Sequence, residues 1–594
     1  MRMSSRLLKS DLALISASLL TAILITSCNS SADKPKSKTD TKIPNTETVV
    51  TAPDDTSIQY FSSTAYQVPF DLKSGPLPNN SQEVTKLARF AWKEFIALNW
   101  PSTYDSEASP ANYQRATPDT SKSVLDFAAP DNKGKLVWQT YKHRNEVYPM
   151  MNAGGEYPNS AKQFDVAPNY TYPAVHGSTV PECGAYDPTT GTWATNSSTT
   201  LADIHHFNNL DETSEIDLAT LFTDGDPNAP GIKPSEGTPL YMGLPQQPRR
   251  FIYEAKANRT MFDYVSNAQY YDNDTRTQAQ LDTYTAVRDQ GMGGLSTCPD
   301  DSIICFPHGI APSQTSDGQE GTILVKATWK QLTQTEYSSG RYLTAPIIRY
   351  RNSNPNFDPS SPQPFCFETI AAEPTSTSLP YGLVGLHIIH KTTNYPTYIF
   401  ATFEQVDNLS STSSLFYYNR NDNPPVGTSR QAVEHRAHPI PQEVKDVTDN
   451  VHFQLRKVLQ ANSKTDSVWF NYQLIGVQGQ ATNSGFATSE SEFALANIVT
   501  ETNGVLQDFV GTLNADGTID PHNSNIFKGS EKFIGGGCKG CHGNAQVGPH
   551  VEFGAAPPPA SSLRASDFSF ITQNAPFEGK PDAINQPLLK TETN

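Results

Sequence analysis

Two cysteines and a histidine near the end of the chain have the spacing of a covalent haem site. Cys538, Cys541 and His542 stand in the order C-x-x-C-H within GGGCKGCHGNAQ, residues 535–546. Two thiols at this spacing can add to the two vinyl groups of a haem, and the histidine that follows becomes the proximal ligand of the iron. A redox dithiol or half of a zinc site would need a βαβ context or a second Cys/His pair, and neither pattern accompanies the motif. The motif therefore predicts one covalently bound haem c.

The motif does not supply the second axial ligand of the iron. Small electron carriers commonly use a methionine downstream of the motif, yet none of the seven methionines follows His542. The distal candidates are His550, which follows the motif, and His387 and His390 in the segment GLHIIH. Because strand residues alternate between faces, only one of His387 and His390 is expected to face a common site. An open or water-ligated iron stays an alternative, and further candidates are upstream methionines, His435, His438, His452 and His522.

The chain beyond the motif is too short to enclose a haem. Between His542 and the last residue, 594, the sequence has no long amphipathic helix pattern. The apolar faces of a haem require a sizeable hydrophobic pocket. The sequence therefore predicts a haem-binding segment, residues 526–575, that docks on a large body formed by residues 58–525. A flexible tail, residues 576–594, is expected to follow.

The N-terminal region predicts export and lipid anchoring. MRMSSRLLKS is basic, LALISASLLTAILI is apolar, and the segment ends in ITSC at Cys28. This pattern indicates a lipoprotein signal peptide, residues 1–27, with Cys28 as the acylated first residue of the mature chain. An uncleaved anchor and an ordinary signal peptide are the alternatives. Asn29 favours the outer membrane of a Gram-negative bacterium, facing the periplasm, and the polar residues 28–57 predict a disordered tether.

The composition limits the classes of partner. The formal net charge is −17 at pH 7, and the sequence has no stripe of Lys and Arg that would offset phosphate repulsion. Nucleic acid is therefore excluded as a partner. The expected partners are a redox protein or a small-molecule electron donor or acceptor, and the membrane through the lipid on Cys28. The 45 prolines favour long ordered loops over continuous helix.

The cysteines suit an oxidising compartment. Besides Cys28 and the two motif cysteines, the chain has Cys183, Cys298, Cys305 and Cys366. Four cysteines allow three pairings. The short segment STCPDDSIIC favours a local disulfide between Cys298 and Cys305, which would leave Cys183 to pair with Cys366.

The body is predicted to be α+β. Helical patterns begin near Asn80, Asn258, Gln442 and Phe493, whereas patterns rich in β-branched and aromatic residues begin at positions 322, 341, 382, 398 and 468. GLVGLHIIHKTT and TYIFATFEQVDN are joined by NYP, a short turn that predicts an antiparallel pair. The expected fold class is a mainly antiparallel sheet with flanking helices and long loops. Residues 100–250 are too rich in Pro, Gly, Asn and Thr for their topology to be predicted.

Several segments occur together in a recognisable order: FIYEAKANRTMFDYV, ILVKATWKQLT, GLVGLHIIHKTTNYPTYIFATFEQVDN, YQLIGVQ, LANIVTETN, GCKGCHGNAQ and DFSF. They resemble a family of large exported bacterial cytochrome-c-family proteins with a single C-terminal haem motif. The similarity spans roughly residues 85 to 572. The resemblance implies haem binding through Cys538, Cys541 and His542, and it implies no substrate.

Three functions are compatible with these patterns. The leading expectation is periplasmic electron transfer by an exported monohaem c-type cytochrome. A haem-dependent oxidase or peroxidase-like enzyme acting on an organic substrate is the alternative, with His387, His390, Glu404 or Asp407 as acid/base groups. A haem-based sensor is the third. The residue patterns identify no catalytic group and no substrate, so whether the protein is an enzyme stays open.

Overall fold

The computed structural model describes most of the chain between residues 58 and 479 and short parts of the C-terminal segment. The described ranges are 58–72, 81–130, 135–151, 154–170, 180–187, 192–200, 208–213, 252–295, 303–310, 318–352, 365–375, 378–408, 440–479, 526–528, 531–533, 537–546, 565–567, 569 and 571. All belong to one compact unit, Ala52–Asn594. The predicted signal peptide, tether and tail lie outside these ranges, and so does Cys28. Within the ranges, no helix is both long and apolar enough to cross a membrane.

Helices and strands are mixed along the chain. Helices α1 to α8 are Ser81–Leu98, Val124–Ala128, Arg144–Val147, Arg259–Asn267, Asn273–Gln290, Gln334–Ser338, Gln442–Ala461 and Gly537–Gly543. Strands β1 to β14 are Lys142–His143, Pro181–Asp187, Thr192–Thr200, Asn208–Leu210, Glu212–Thr213, Ile252–Ala257, Ile323–Gln331, Ile347–Asn352, Phe365–Ile370, Tyr381–His390, Ile399–Gln405, Tyr472–Gln478, Ile526–Lys528 and Glu531–Phe533. The predicted α+β class is confirmed.

The centre of the fold is a seven-stranded sheet. Its hydrogen-bonded order is β1-β6-β7-β10-β11-β12, and β5 pairs with β6 off this path. Neighbouring strands in it are antiparallel. A smaller sheet has the order β3-β2-β9-β8-β4, in which the β2/β9 and β4/β8 pairs are parallel. Strands β13 and β14 pair with each other.

The β10/β11 pair is buried on both faces. The two strands are antiparallel, as the NYP turn predicts, and His387 lies opposite Thr402. All residues of β10 and β11 are buried. A strand of this kind sits between two apolar layers, and each layer is built by a different set of elements.

Helices α1 and α7 cover one face of the main sheet. Trp92 and Phe95 of α1 lie 4.9 Å and 4.2 Å, between ring centroids, from Phe403 of β11. The indole N–H of Trp92 donates to the hydroxyl of Thr448 in α7 over 3.1 Å. The rings are buried, so this interface removes a large apolar area from water and fixes both helices on the sheet.

A second apolar cluster covers the opposite face. Its members come from helices α3, α4 and α5, from strands β6, β7, β10 and β11, from the loops between them, and from the C-terminal segment. They include Phe262, Val265, Ala279, Leu324, Ile389, Phe400, Cys538 and Ile571. The haem motif is therefore part of the same apolar layer as the body.

Local sequence signals explain several element boundaries. Helix α4 starts after Asn258, whose Oδ1 accepts the N–H of Met261 as a side-chain cap. The strand predicted from position 341 begins only at Ile347, because Pro346 has no N–H to donate to a neighbouring strand. Helix α5 is not predicted by the sequence pattern. The helix predicted from Phe493 lies outside the described residues.

A disulfide links two strands of the smaller sheet. Cys183 of β2 is bonded to Cys366 of β9, and the neighbouring residues Glu182 and Phe367 are paired in register. This is the pairing expected from the sequence. Cys305 is also disulfide-bonded, and Cys298, its expected partner, lies outside the described residues.

Candidate functional site

The haem motif forms a short helix seated on the main sheet. Helix α8 contains both cysteines and the histidine of the motif. Residues four apart lie on the same side of a helix, so Cys538 and His542 share a side. Cys538 is 6% exposed and packs in the second apolar cluster, whereas His542 is half-buried.

His542 lies against two buried rings of the sheet. Its ring centroid is 5.0 Å from that of Phe400 and 6.0 Å from that of His387. The rings of His387 and Phe400 are 6.1 Å apart, so the three rings form a closed triangle. Strands β10 and β11 place His387 and Phe400 side by side, and the motif helix adds the third ring.

His387 is held in one orientation and in its neutral form. Its Nδ1 lies 2.7 Å from the hydroxyl oxygen of Thr402, the residue opposite it on β11. Burial lowers the pKa of His387 well below its usual value, and His542 and Lys326 lower it further. A neutral imidazole is the form that binds metal ions or accepts a proton.

The two histidines of GLHIIH point to opposite faces of the sheet, as strand alternation predicts. His390 turns away from the motif, towards helix α1, where its Nδ1 lies 2.8 Å from Oε1 of Glu94. Its ring centroid is 5.5 Å from that of Phe90. Only His387 of this pair faces the motif, because the strand period of two separates positions three apart. His550, the third distal candidate, lies outside the described residues.

The two candidate acid/base carboxylates differ in position. Glu404 is fully buried, and the alternation of β11 places it on the same face as Phe400 and Thr402. Asp407 lies beyond the end of β11 and forms an exposed ion pair with Arg341 at 2.7 Å. The structure therefore brings Glu404, but not Asp407, to the sheet face that carries the motif.

Lys539, between the two motif cysteines, enters the body. Its side chain is fully buried, and its ammonium donates to the carbonyl and hydroxyl oxygens of Thr397 and to the carbonyl oxygen of Tyr398, all within 2.8 Å. The ammonium also lies 5.2 Å from the ring centroid of Phe400. Its main-chain N–H donates to Oε1 of Gln478 over 2.8 Å. The motif helix is thus bound to the ends of β11 and β12.

A second buried lysine joins the body to the residues after the motif. Lys391, which follows β10, forms an ion pair with Asp567 at 2.5 Å. The same carboxylate oxygen accepts the N–H of Phe306 over 2.7 Å. Both lysine and aspartate are buried. The described parts of the predicted haem-binding segment therefore contact the body at two separate places.

The residues around the motif fit a covalently attached haem. Cys538 lies among apolar side chains, and burial raises the pKa of its thiol to about 12, so the neutral form dominates. A thioether is also neutral and suits these surroundings. His542 on the same side of the helix would provide the nitrogen ligand. Within the described residues no group of three or more His, Cys, Asp or Glu could hold a bare metal ion.

Compared with family models, with curated proteins and with solved structures, the chain matches none. The resemblance to exported cytochrome-c-family proteins stays a prediction from the sequence segments that carry it.

Proposed function

We propose that the protein is an exported monohaem c-type cytochrome that transfers electrons in the periplasm. The haem would be attached at Cys538 and Cys541, with His542 as the proximal ligand. When bound, it supplies one-electron chemistry through its iron. The observation that carries the proposal is the C-x-x-C-H helix seated on the buried sheet, with His542 against Phe400 and His387.

The body's contribution supports this proposal. A haem attached to α8 would meet a surface of buried aromatic and aliphatic side chains from β10 and β11, which keeps water from one side of the cofactor. His387 is the first candidate for the sixth ligand, because it is neutral, is oriented by Thr402 and faces His542. Phe400 lies beside both imidazoles and would add an apolar ring to the pocket.

The setting of the electron transfer follows from the N-terminus. We propose that lipid on Cys28 anchors the protein to the outer membrane and that residues 28–57 form the tether to the folded body. A redox protein or a small-molecule donor or acceptor in the periplasm would then exchange electrons with the haem. The resemblance to large exported cytochrome-c-family proteins supports the same placement.

The proposal is tested by expression in a bacterium that carries out c-type haem attachment. We expect haem to stay on the chain after denaturation in detergent and to give the pyridine haemochrome spectrum of a c-type haem. The Cys538→Ala/Cys541→Ala variant should lose it. A purified wild-type chain without covalent haem would contradict the proposal.

A haem enzyme is the second candidate, favoured by the position of Glu404 and His387. Both are buried on the sheet face that carries the motif, where they could move protons beside an iron with an exchangeable position. The ferric spectrum separates the two functions. Low-spin iron that binds neither cyanide in the ferric state nor carbon monoxide in the ferrous state supports electron transfer, whereas high-spin ferric iron that binds cyanide, and carbon monoxide once reduced, supports the enzyme.

A further inference from the structure

We infer that Lys539 is a positioning residue that fixes the haem motif on the body and thereby the direction of the His542 ring. The inference rests on the proposed function, in which His542 binds the iron. Lys539 itself touches neither a substrate nor a reacting atom. It acts through the helix that carries His542.

The geometry around Lys539 matches an ammonium group. A lysine ammonium has three N–H donors and no acceptor, and the structure places three oxygens around it, two from Thr397 and one from Tyr398. A fully buried lysine is rare unless its donors are satisfied. This one is enclosed at the turn that leads into β11, where the oxygens of Thr397 and Tyr398 form a socket that holds its ammonium.

Lys539 is coupled to the expected iron ligand, His542, through the short helix that carries both residues. Lys539 and His542 are three residues apart on one short helix, and both contact the ring of Phe400, at 5.2 Å and 5.0 Å. The main-chain N–H of Lys539 is bound by Gln478 as well. A helix of seven residues is too short to be stable alone, so its orientation depends on its contacts with the body, and loss of the Lys539 contacts would loosen the helix and the histidine on it.

The alternative role for this lysine is an exposed, freely hydrated charge between the two haem cysteines. That role does not fit a side chain that is fully buried with its ammonium among backbone carbonyls. It would also predict that arginine substitutes well. A guanidinium is planar and has five donors, and it does not match a compact socket of three oxygens.

The test compares Lys539→Met with Lys162→Met, which removes an exposed lysine from the body. Deuterium exchange is measured by mass spectrometry for peptides over residues 537–546 and over α7. We expect Lys539→Met to exchange at least tenfold faster at 537–546 and unchanged at α7, and Lys162→Met to match the wild type. Lys539→Arg should resemble Lys539→Met. Unchanged exchange at 537–546 in Lys539→Met would overturn the inference.

Two further measurements complete the test. Thr397→Val removes one acceptor of the socket and keeps the charge, so it should give a smaller acceleration even if Lys539→Met fails to fold. In the haem-loaded protein, Lys539→Met should keep its haem content within twofold but broaden or shift the ferric electron paramagnetic resonance signal. An unchanged signal would contradict the positioning role. If the wild type carries no haem, the proposed function fails, while the exchange data still decide the role of Lys539.

Discussion

At the scale of single residues, the candidate site depends on three rings. Two of them are the imidazoles of His542 and His387, and the third is the phenyl ring of Phe400, which lies close to both. Lowering of the pKa of His387 by burial keeps that ring uncharged beside His542. An uncharged His387 and the phenyl ring of Phe400 add no charge to this apolar layer, which suits the apolar faces of a haem.

The first prediction concerns His542. His542→Ala should keep covalent haem, since both cysteines remain, but should lose the wild-type Soret position and ferric spin state because the proximal nitrogen is gone. Absorption and electron paramagnetic resonance spectra measure this. His308→Ala serves as the control, because His308 is a half-buried body residue bonded to Thr393. An unchanged spectrum in His542→Ala would show that another residue binds the iron.

At the scale of the element, strand β10 provides its own matched control. His387→Ala should change the spin state seen in the ferric spectrum, or should change the affinity of the iron for cyanide at least tenfold, because the ring faces the motif. His390→Ala should leave the spectrum unchanged and the cyanide affinity within about twofold, because that ring is bound to Glu94 on the opposite face. A spectrum that responds equally to both substitutions would contradict the assignment of faces. Thermal unfolding measured in parallel separates loss of fold from loss of ligand.

Helix α7 carries a prediction about pH. His452 is packed between Trp92 and Phe470, with 5.6 Å between ring centroids in each case, and burial lowers its pKa to about 4. The unfolded chain, with a pKa of about 6.5, binds a proton that the folded chain does not, so stability falls as the pH drops below about 6.5. We expect His452 to account for a loss of about 2 kcal/mol in unfolding free energy between pH 7 and pH 5.

The measurement is urea denaturation of the wild type and His452→Gln at pH 7 and pH 5. The variant should lose less stability over this interval, because glutamine does not titrate. His387 contributes in the same direction, so a residual loss is expected in the variant. An equal loss in both proteins would mean that folding does not lower the pKa of His452.

At the scale of the whole molecule, the disulfide between Cys183 and Cys366 closes a long loop of the chain. The two residues are 183 positions apart, and cross-links over long loops reduce the entropy of the unfolded chain most. Cys183→Ser/Cys366→Ser should lower the unfolding free energy by roughly 2 to 5 kcal/mol. Denaturation with urea tests this, and substitution is preferred to a reductant, which would also open the disulfide of Cys305. An unchanged midpoint would contradict the prediction.

Strands β7, β10, β11 and β12 of the central sheet were predicted from runs of β-branched and aromatic residues, and helices α1, α4 and α7 from apolar periods, whereas β1, β5 and β6 were not predicted. Helix α5 was not predicted either, since it buries polar side chains such as Arg276, Gln280 and Thr283 and so has no clear apolar period. In the same way, alternation predicts that His387 and His390 diverge. Which of them faces the motif depends on the side of the sheet where the segment docks, and that is a tertiary property.

The anchors of the site were missed for a related reason. A lysine inside a haem motif has the sequence signature of an ordinary exposed lysine, because lysine is seldom buried. Two of the three oxygens around Lys539 are backbone carbonyls, which every residue has. The residue types at positions 397 and 398 therefore do not predict a lysine-binding site. Asp567 lies in DFSF, a segment that the resemblance includes, but its partner Lys391 is 176 positions away.

If the proposed haem is attached at Cys538, the burial of this residue determines whether attachment or docking comes first. In the docked arrangement the thiol is 6% exposed, and its raised pKa disfavours the thiolate that bond formation uses. A haem that is to be joined to this sulfur must reach it before α8 closes on the sheet. Maturation would then run from export, through cofactor attachment on an open segment, to closure as the last step. A chain that folds before attachment would bury the thiol of Cys538 and would be recovered without covalent haem.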